Sequence, residues 1–209
     1  QRYLDRQSAK PEEEKKQEKP TPISISNPDS YLILQSRKGD YPDFPVNMHR
    51  LSYDVTVEAI ANKLNLSLEN TAKEQDGTGY MGKINHEQAL AINKELGNFT
   101  LPLVYFTDLL YNLREGAKGN KKIYNANGNQ IDAKMLDSMF NEITEVRNPW
   151  RAEYLDGKIG NNTITYHKFV NGKFIEVTEE LDDCLIKDKT PGIDLGDWLS
   201  NPTSQGLPR

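Results

Sequence analysis

Apolar residues recur at helical spacing in several stretches of the chain, and polar or glycine-containing segments separate these stretches. The clearest pattern covers residues 85–97. Asn85 is a favourable N-cap, Gln88 follows at the spacing of a capping box, and Gly97 suits the left-handed position after a helix end. A second apolar stripe begins almost at once and predicts a helix over 102–114. The two helices are therefore expected to be neighbours joined by a very short connection.

Three further segments have helical patterns. One follows Asp132, which can cap it, and is expected to end at Asn148 and Pro149 because proline disfavours helical backbone at the residue before it. A weaker apolar pattern predicts a helix over 55–66. The segment 178–189 is expected to form a short helix.

Alternating β-rich residues on both sides of Asn171 and Gly172 give the strongest strand signal. Asn-Gly is the preferred pair for a type I′ turn, so we expect a β-hairpin over about 163–177. A short apolar run predicts a strand at 30–36, and the Asn-Gly pair at 127–128 predicts a second, smaller hairpin. Because helices precede a hairpin and do not alternate with strands, the predicted fold class is α+β.

The domain organisation follows from changes in composition along the chain. Half of the residues in 1–22 are charged and almost none can be buried, which is typical of a disordered, charged linker. Residues 23–209 are expected to form a single α+β domain that is incomplete at its C-terminus. Within that domain, residues 190–209 are expected to be irregular.

Composition and charge narrow the classes of function. The formal net charge is −5, and no basic stripe with interleaved aromatic residues is found, so we expect no nucleic-acid partner. No apolar run reaches 18 residues, so no membrane span is expected within this chain. Cys184 is the only cysteine, which excludes an intrachain disulfide and a cysteine-based zinc site.

The residue types that most often serve in catalysis or metal binding do not form a known motif in this chain. His49, His86 and His167 lack the spacing of a metal site, and structural roles are expected for them. The glycine-rich stretch at 77–82 matches no phosphate-binding loop. The sequence at 125–132 lacks the glycine and acidic positions of a calcium loop, so a hairpin turn is expected there. We therefore nominate no catalytic residue, no metal ligand and no cofactor.

The most distinctive stretch is "RNPWRAEYLDG", residues 147–157. It contains Trp150, Arg151 and Tyr154 directly after a predicted helix end. The stretch is either a structural corner, in which the aromatic residues anchor into the core, or a recognition loop. The corner is the favoured interpretation.

One family resemblance rests on "NHEQALAINKELGNFTLPLVYFTDLLYNLREG". C-type-lectin-like domains of the formylglycine-generating-enzyme type place a helix, a Leu-Pro pair and a second helix in this order, and the matching positions here are 86–97, 101–102 and 103–113. Together with "PWRAEYLDG" and "WLSNPTSQGLPR", these residues resemble the invariant part of the variable proteins of diversity-generating retroelements, of the archaeal and viral type. The resemblance covers roughly residues 84–209.

The resemblance implies a non-enzymatic display scaffold with a C-type-lectin-like fold. In that family a hypervariable C-terminal segment forms the ligand-binding surface, and neither that segment nor the final core strands are present in this chain. The site would therefore lie mainly beyond Arg209, with support from Trp150, Arg151, Trp198 and the loop at 201–208. The last residues are expected to act as a hinge, in which Trp198 and Leu199 dock to the core and Pro202, Gly206 and Pro208 lead the chain onward. The resemblance implies a protein or a surface ligand as the partner. It does not fix the cellular location of the chain, and export and surface display are both among the alternatives.

Two other classes remain open from the sequence. A virion or phage-like structural protein would also be acidic, poor in cysteine and without catalytic motifs. An enzyme with a carboxylate site is the third class, although the cysteine and metal ligands of the enzymatic branch of the lectin-like fold have no counterpart here.

Overall fold

The computed structural model describes residues 27–68, 79–146, 153–184 and 193–209. Within these ranges the chain has a mixed α+β architecture, as predicted, with two antiparallel sheets. A single 3₁₀ turn at Pro28–Ser30 precedes the first strand. The helices and strands follow in the order β1 (Tyr31–Leu34), β2 (Phe44–Asn47), α1 (Val55–Lys63), α2 (His86–Glu95), α3 (Leu103–Ala117), α4 (Ala133–Thr144), β3 (Lys158–Ile159), β4 (Thr163–Val170), β5 (Lys173–Glu180) and α5 (Leu195–Ser200).

The two sheets have simple antiparallel topology. β1 pairs with β2, with Leu32 opposite Val46, and the second sheet has the order β3-β4-β5. The β4–β5 hairpin turns at Asn171 and Gly172, whose φ angles are 50° and 82°. Positive φ at both central residues is what a type I′ turn requires, so the predicted hairpin is confirmed.

Helix α3 lies at the centre of the described structure and packs against α4, α5 and β1. The apolar stripe of α3 forms its buried face. Burial of such a stripe supplies most of the stability of a helix in a folded protein. The main core cluster is formed by twelve buried residues, Leu32, Leu34, Tyr41, Tyr105, Phe106, Leu109, Leu110, Leu113, Ile123, Ile131, Leu136 and Leu199. On the sheet side, the hydroxyl oxygen of Tyr105 accepts a hydrogen bond from the backbone N–H of Phe169 at 2.8 Å.

The helix starts that carry capping signals are confirmed. The side chain of Asn85 accepts from the backbone of Gln88, and the Gln88 side chain accepts from the backbone N–H of Asn85, so the capping box is complete. Asp132 caps α4 by accepting from the N–H of Lys134 at 2.8 Å. Helix α1 ends at Lys63, three residues before the predicted end, where Asn65 takes a left-handed backbone with φ of 53°.

Two predictions about the last quarter of the chain are wrong. Residues 178–180 continue β5, and residues 181–184 contain no helix, whereas a helix over 178–189 was expected; residues 185–189 lie outside the described part of the chain. The strand continues because its end is bonded on both sides: Glu180 pairs with Thr163, and the Gln205 side chain donates to the Glu180 carbonyl at 2.7 Å. The second wrong prediction concerns residues 190–209, which were expected to be irregular but contain helix α5.

No helix in the described ranges is both long and apolar enough to cross a membrane. The described residues also contain no group of three or more histidine, cysteine, aspartate or glutamate side chains that could hold a metal ion.

Candidate functional site

Residues 194–208 form a unit that we call the C-terminal clasp. It begins with Asp194, whose side chain accepts from the N–H of Asp197 at 2.8 Å and so caps α5. Leu199 on this helix is completely buried in the core. The predicted docking of Leu199 is therefore confirmed, and it fixes the direction in which the chain leaves α5.

The clasp then closes on itself in a tight turn. The backbone N–H of Thr203 donates to the Leu207 carbonyl at 2.8 Å, and the N–H of Gly206 donates to the Thr203 carbonyl at 3.1 Å. The hydroxyl oxygen of Thr203 accepts from the N–H of Leu207 at 3.0 Å. Thr203, Gln205 and Leu207 are all buried. This segment was expected to dock through Trp198 and Leu199 and then to lead onward as a hinge, whereas the turn itself is also packed into the structure.

Gly206 is the point at which the clasp meets α3. Its carbonyl accepts from Trp198 Nε1 at 2.8 Å and lies 2.9 Å from the hydroxyl oxygen of Thr107, which is also 2.9 Å from the Leu103 carbonyl. A Cβ atom on Gly206 would lie 2.6 Å from the Cα of Val104. Only glycine permits the backbone of the clasp to come this close to the backbone of α3.

A second set of bonds ties the clasp to the residues that follow β5. The backbone N–H and the hydroxyl of Ser204 both donate to Asp182 Oδ2, at 2.9 and 2.7 Å, and the N–H of Asp182 donates to the Gln205 side chain at 3.1 Å. The hydrogen bond from the Ser204 hydroxyl is the main cause that lowers the pKa of Asp182. The clasp therefore joins α3, α5 and the end of the hairpin sheet.

The two donors at the Gly206 carbonyl lead to a prediction. Trp198→Phe keeps a large ring but removes the indole N–H, and Thr107→Val removes the hydroxyl with little change of shape. The single hydroxyl proton of Thr107 is shared between the Gly206 and Leu103 carbonyls. Each substitution alone removes one of the two groups that contact the Gly206 carbonyl and should lower the free energy of unfolding by about 1 kcal/mol. The double variant leaves a buried carbonyl without either donor, so its loss should exceed the sum of the two by about 1 kcal/mol.

Urea unfolding of the four proteins measures this coupling. Ser200→Ala on the exposed side of α5 is a matched control. The Ser200 hydroxyl donates to the Gly196 carbonyl within the same helix, so this variant should show no coupling with Thr107→Val. If the losses in the free energy of unfolding caused by Trp198→Phe and Thr107→Val were strictly additive, the two side chains would not act on the same Gly206 carbonyl.

Of the three residues expected to support the site, the structure describes only Trp198. Its indole is half-buried and is used inside the clasp, where it bonds to Gly206. Trp150 and Arg151 lie outside the described residues.

The described residues that follow Arg151 behave as a structural corner. The hydroxyl of Tyr154 donates to the Ile84 carbonyl, His86 Nε2 donates to the Leu155 carbonyl at 2.7 Å, and Asp156 Oδ2 accepts from His167. The backbone N–H of His167 also donates to this oxygen at 2.7 Å. Because a carbonyl can only accept, His86 must carry its proton on Nε2. Both histidines thus have structural partners, in line with the roles expected for them.

The loop at 125–132 is a turn organised by Asn125. Its side-chain oxygen accepts from the backbone N–H groups of Asn127 and Asn129, and Tyr124 pairs with Gln130 across the turn. Asp29 Oδ1 accepts from the amide groups of Asn125 and Asn127 at 2.8 and 2.7 Å. Asn125 Oδ1 and Asp29 Oδ1 therefore accept hydrogen bonds from within the protein, and the pairing of Tyr124 with Gln130 is that of the expected hairpin turn.

A buried polar cluster on α3 was not anticipated from the sequence. Asp108 Oδ2 accepts from the hydroxyl of Tyr41 at 2.8 Å and from the backbone N–H of Arg37 at 3.2 Å, and Asp108 Oδ1 lies 3.8 Å from Arg37 Nε. One turn further along α3, Asn112 Oδ1 accepts from Lys121 Nζ at 2.7 Å. We call these five residues the α3 polar cluster.

Burial controls the ionisation of this cluster. It raises the pKa of Asp108, against the lowering effect of the hydrogen bonds from Tyr41 and Arg37, and it lowers the pKa of Lys121. Burial and the neighbouring Asp108 carboxylate both raise the pKa of Tyr41, so its phenol stays neutral and remains a donor. The guanidinium of Arg37 stacks on the ring of Tyr111, 3.9 Å from the ring centroid, and its Nη1 is buried without a hydrogen-bond partner in the described residues.

A sequence signal for this cluster did exist. Asp108 and Asn112 stand four residues apart inside the apolar stripe of α3, so both lie on a face that is otherwise buried. Buried polar side chains in such positions require partners. The identity of the partners, from residues 37, 41 and 121, depends on the tertiary fold.

No protein-family model matches this chain, and no curated protein or solved structure is significantly similar to it.

Proposed function

We propose that this chain is the invariant scaffold of a display protein, which carries a hypervariable ligand-binding segment after Arg209. The proposal rests on the resemblance of residues 84–209 to the variable proteins of diversity-generating retroelements. It includes a C-type-lectin-like arrangement of residues 23–209, with which the observed α+β class is compatible.

The observation that carries the proposal is the C-terminal clasp. A display protein needs a fixed base from which its variable segment starts, since a loose base would add ordering entropy to the cost of every binding event. Residues 203–207 are bonded to α3, α5 and the end of β5, and Leu207 and Pro208 are buried. A segment that starts after them therefore starts from a defined position.

In this proposal the named residues act as support and do not contact the ligand through reactive groups. Trp198 holds the Gly206 carbonyl, and so it fixes the clasp itself. Trp150 and Arg151 are proposed to stabilise the corner that residues 153–157 form. No catalytic residue, metal or cofactor is part of the mechanism.

The proposal is tested by sequencing the gene and its surroundings from many cells of one population. We expect codon diversity to be concentrated beyond the codon for Arg209, with a reverse-transcriptase gene and a matching template repeat nearby. An invariant 3′ region next to capsid or tail genes would contradict the proposal and would favour the virion alternative.

A protein experiment tests the physical part of the proposal. Full-length proteins that share residues 1–209 but carry different natural downstream segments should unfold at similar temperatures and differ in the ligands that they bind. Melting temperatures that vary as widely as the bound ligands would show that the scaffold and the variable segment are not separable.

A further inference from the structure

Within the α3 polar cluster, Lys121 and Asn112 bring an amine into contact with a buried side-chain amide. Asn112 is 1% exposed, and its amide is held in one orientation because Nδ2 donates to the Gln35 carbonyl at 2.9 Å. Its Oδ1 therefore faces Lys121 Nζ at 2.7 Å. The Cγ–Oδ1 bond is only about 1.2 Å long, so this hydrogen bond holds the amine one bond away from the electrophilic carbon Cγ, which the amine must then approach from above the amide plane.

The surroundings favour the reactive forms of both groups. Burial lowers the pKa of Lys121, which increases the fraction of neutral, nucleophilic amine at a given pH. The charges of Asp43 and Asp108 raise the pKa of Lys121, but burial outweighs them, and burial also raises the pKa of each of these two carboxyl groups. Carboxyl groups that are protonated more readily than usual can donate a proton to a carbonyl oxygen or to a leaving amine.

We propose that Lys121 and Asn112 become joined by an intramolecular amide bond. The neutral amine attacks Cγ of Asn112, a bond forms between Nζ and Cγ, and the bond between Cγ and Nδ2 breaks. The departing nitrogen takes up a proton, which Nζ releases, and leaves as ammonia. The net change is the loss of one ammonia molecule, with no oxidation or reduction.

The neighbouring residues have separate roles in this proposal. Gln35 holds the amide plane through its backbone carbonyl. Asp43 and Asp108, which interact electrostatically with Lys121, take the proton from Nζ and supply one to the leaving nitrogen. The product would tie the last turns of α3 to the segment that contains the buried Ile123. A chain whose one cysteine excludes an internal disulfide would thereby gain a covalent cross-link, whether or not it is a display protein.

Intact-mass spectrometry of the denatured full chain tests the proposal. The protein should be produced with a residue before Gln1, because an N-terminal glutamine can itself lose ammonia by cyclisation. We expect the wild type, freshly purified or after prolonged incubation at mildly alkaline pH, to be lighter than its sequence mass by one ammonia. Proteolysis should yield one branched peptide that links Asn112 to Lys121 and resists cleavage after Lys121.

Two variants assign the loss to this pair. Lys121→Arg keeps the charge but cannot react in this way and should show the full sequence mass. Asn112→Asp should lose one water instead of one ammonia, because the leaving group changes. Asn127→Ala and Asn171→Ala are controls for succinimide formation at the two Asn-Gly pairs, and both should retain the branched peptide.

A wild-type protein that keeps its full sequence mass under both conditions would overturn the proposal. So would a loss of ammonia that persists in Lys121→Arg or that gives no branched peptide. The test uses the wild type first, so it remains decisive even if a variant fails to fold.

Discussion

Replacing Gly206 with alanine is expected to lower the free energy of unfolding by about 3 kcal/mol or more, which is in the range of the most damaging single substitutions. The added Cβ would lie 2.6 Å from the Cα of Val104, 2.8 Å from its nitrogen and 2.9 Å from the carbonyl carbon of Leu103. All three atoms belong to the backbone of α3 and cannot rotate away. The φ angle of 83° at Gly206 adds a conformational penalty for any residue with a side chain.

Gly39→Ala is the matched control for this prediction. Gly39 has a similar φ of 73°, but a Cβ there would meet no atom within 4 Å. The control should therefore lose only the left-handed backbone cost of about 1–2 kcal/mol. Urea unfolding followed by circular dichroism measures both variants.

The comparison isolates the packing of the clasp from backbone strain. Equal losses in Gly206→Ala and Gly39→Ala would contradict the close approach of the clasp to α3. The larger loss expected at Gly206 would also show that the base of the proposed variable segment is part of the cooperative core.

Local signals explain why much of the fold could be predicted from the sequence. The capping box of α2 needs only Asn85 and Gln88, and the turn of the β4–β5 hairpin needs only Asn171 and Gly172. In each case the residues that determine the element are neighbours in the chain. The α+β class follows from the order of these elements.

The clasp could not be predicted in the same way because its determinants are distant in sequence. Thr107 bonds to Gly206 across 99 residues, and the Gln205 side chain reaches Glu180 across 25. Helix α5 has six residues, which is too short for stability in isolation, so its formation depends on the burial of Leu199. The same long-range bonds extend β5 where a helix was expected.

The candidate site was predicted only in part for the same reason. Trp198 could be selected as a large aromatic residue in a polar segment, but its role as a donor to Gly206 requires the folded turn. Asp108 could be noticed as a polar residue in an apolar stripe. Its partners Arg37 and Tyr41 stand 71 and 67 residues away, and no local pattern points to them.

Replacing Asp108 with alanine is the second substitution for which we expect a large effect, a loss of about 3 kcal/mol in the free energy of unfolding. The change would leave the buried hydroxyl of Tyr41 without its acceptor and Arg37 without its ion-pair partner. Removing one member of a buried charged pair is costly because the remaining charge stays buried without compensation. Asp137→Ala on the exposed face of α4 is the matched control and should change stability by less than about 0.5 kcal/mol.

Asp108→Asn separates the hydrogen bonds of this residue from its charge, since the amide keeps an oxygen that can accept from Tyr41. Burial raises the folded-state pKa of Asp108 above its ordinary value of 3.8, so the folded protein retains a proton that the unfolded chain has already released. The stability of the wild type relative to Asp108→Asn should therefore be highest below pH 3.8 and should fall as the pH rises through the folded-state pKa. Urea unfolding of both proteins across this range measures the difference. The opposite result, a wild type that gains stability over Asp108→Asn as the pH rises, would contradict this prediction. It would show that Arg37 and the hydrogen bonds outweigh burial, so that the pKa of Asp108 is lowered in the folded protein.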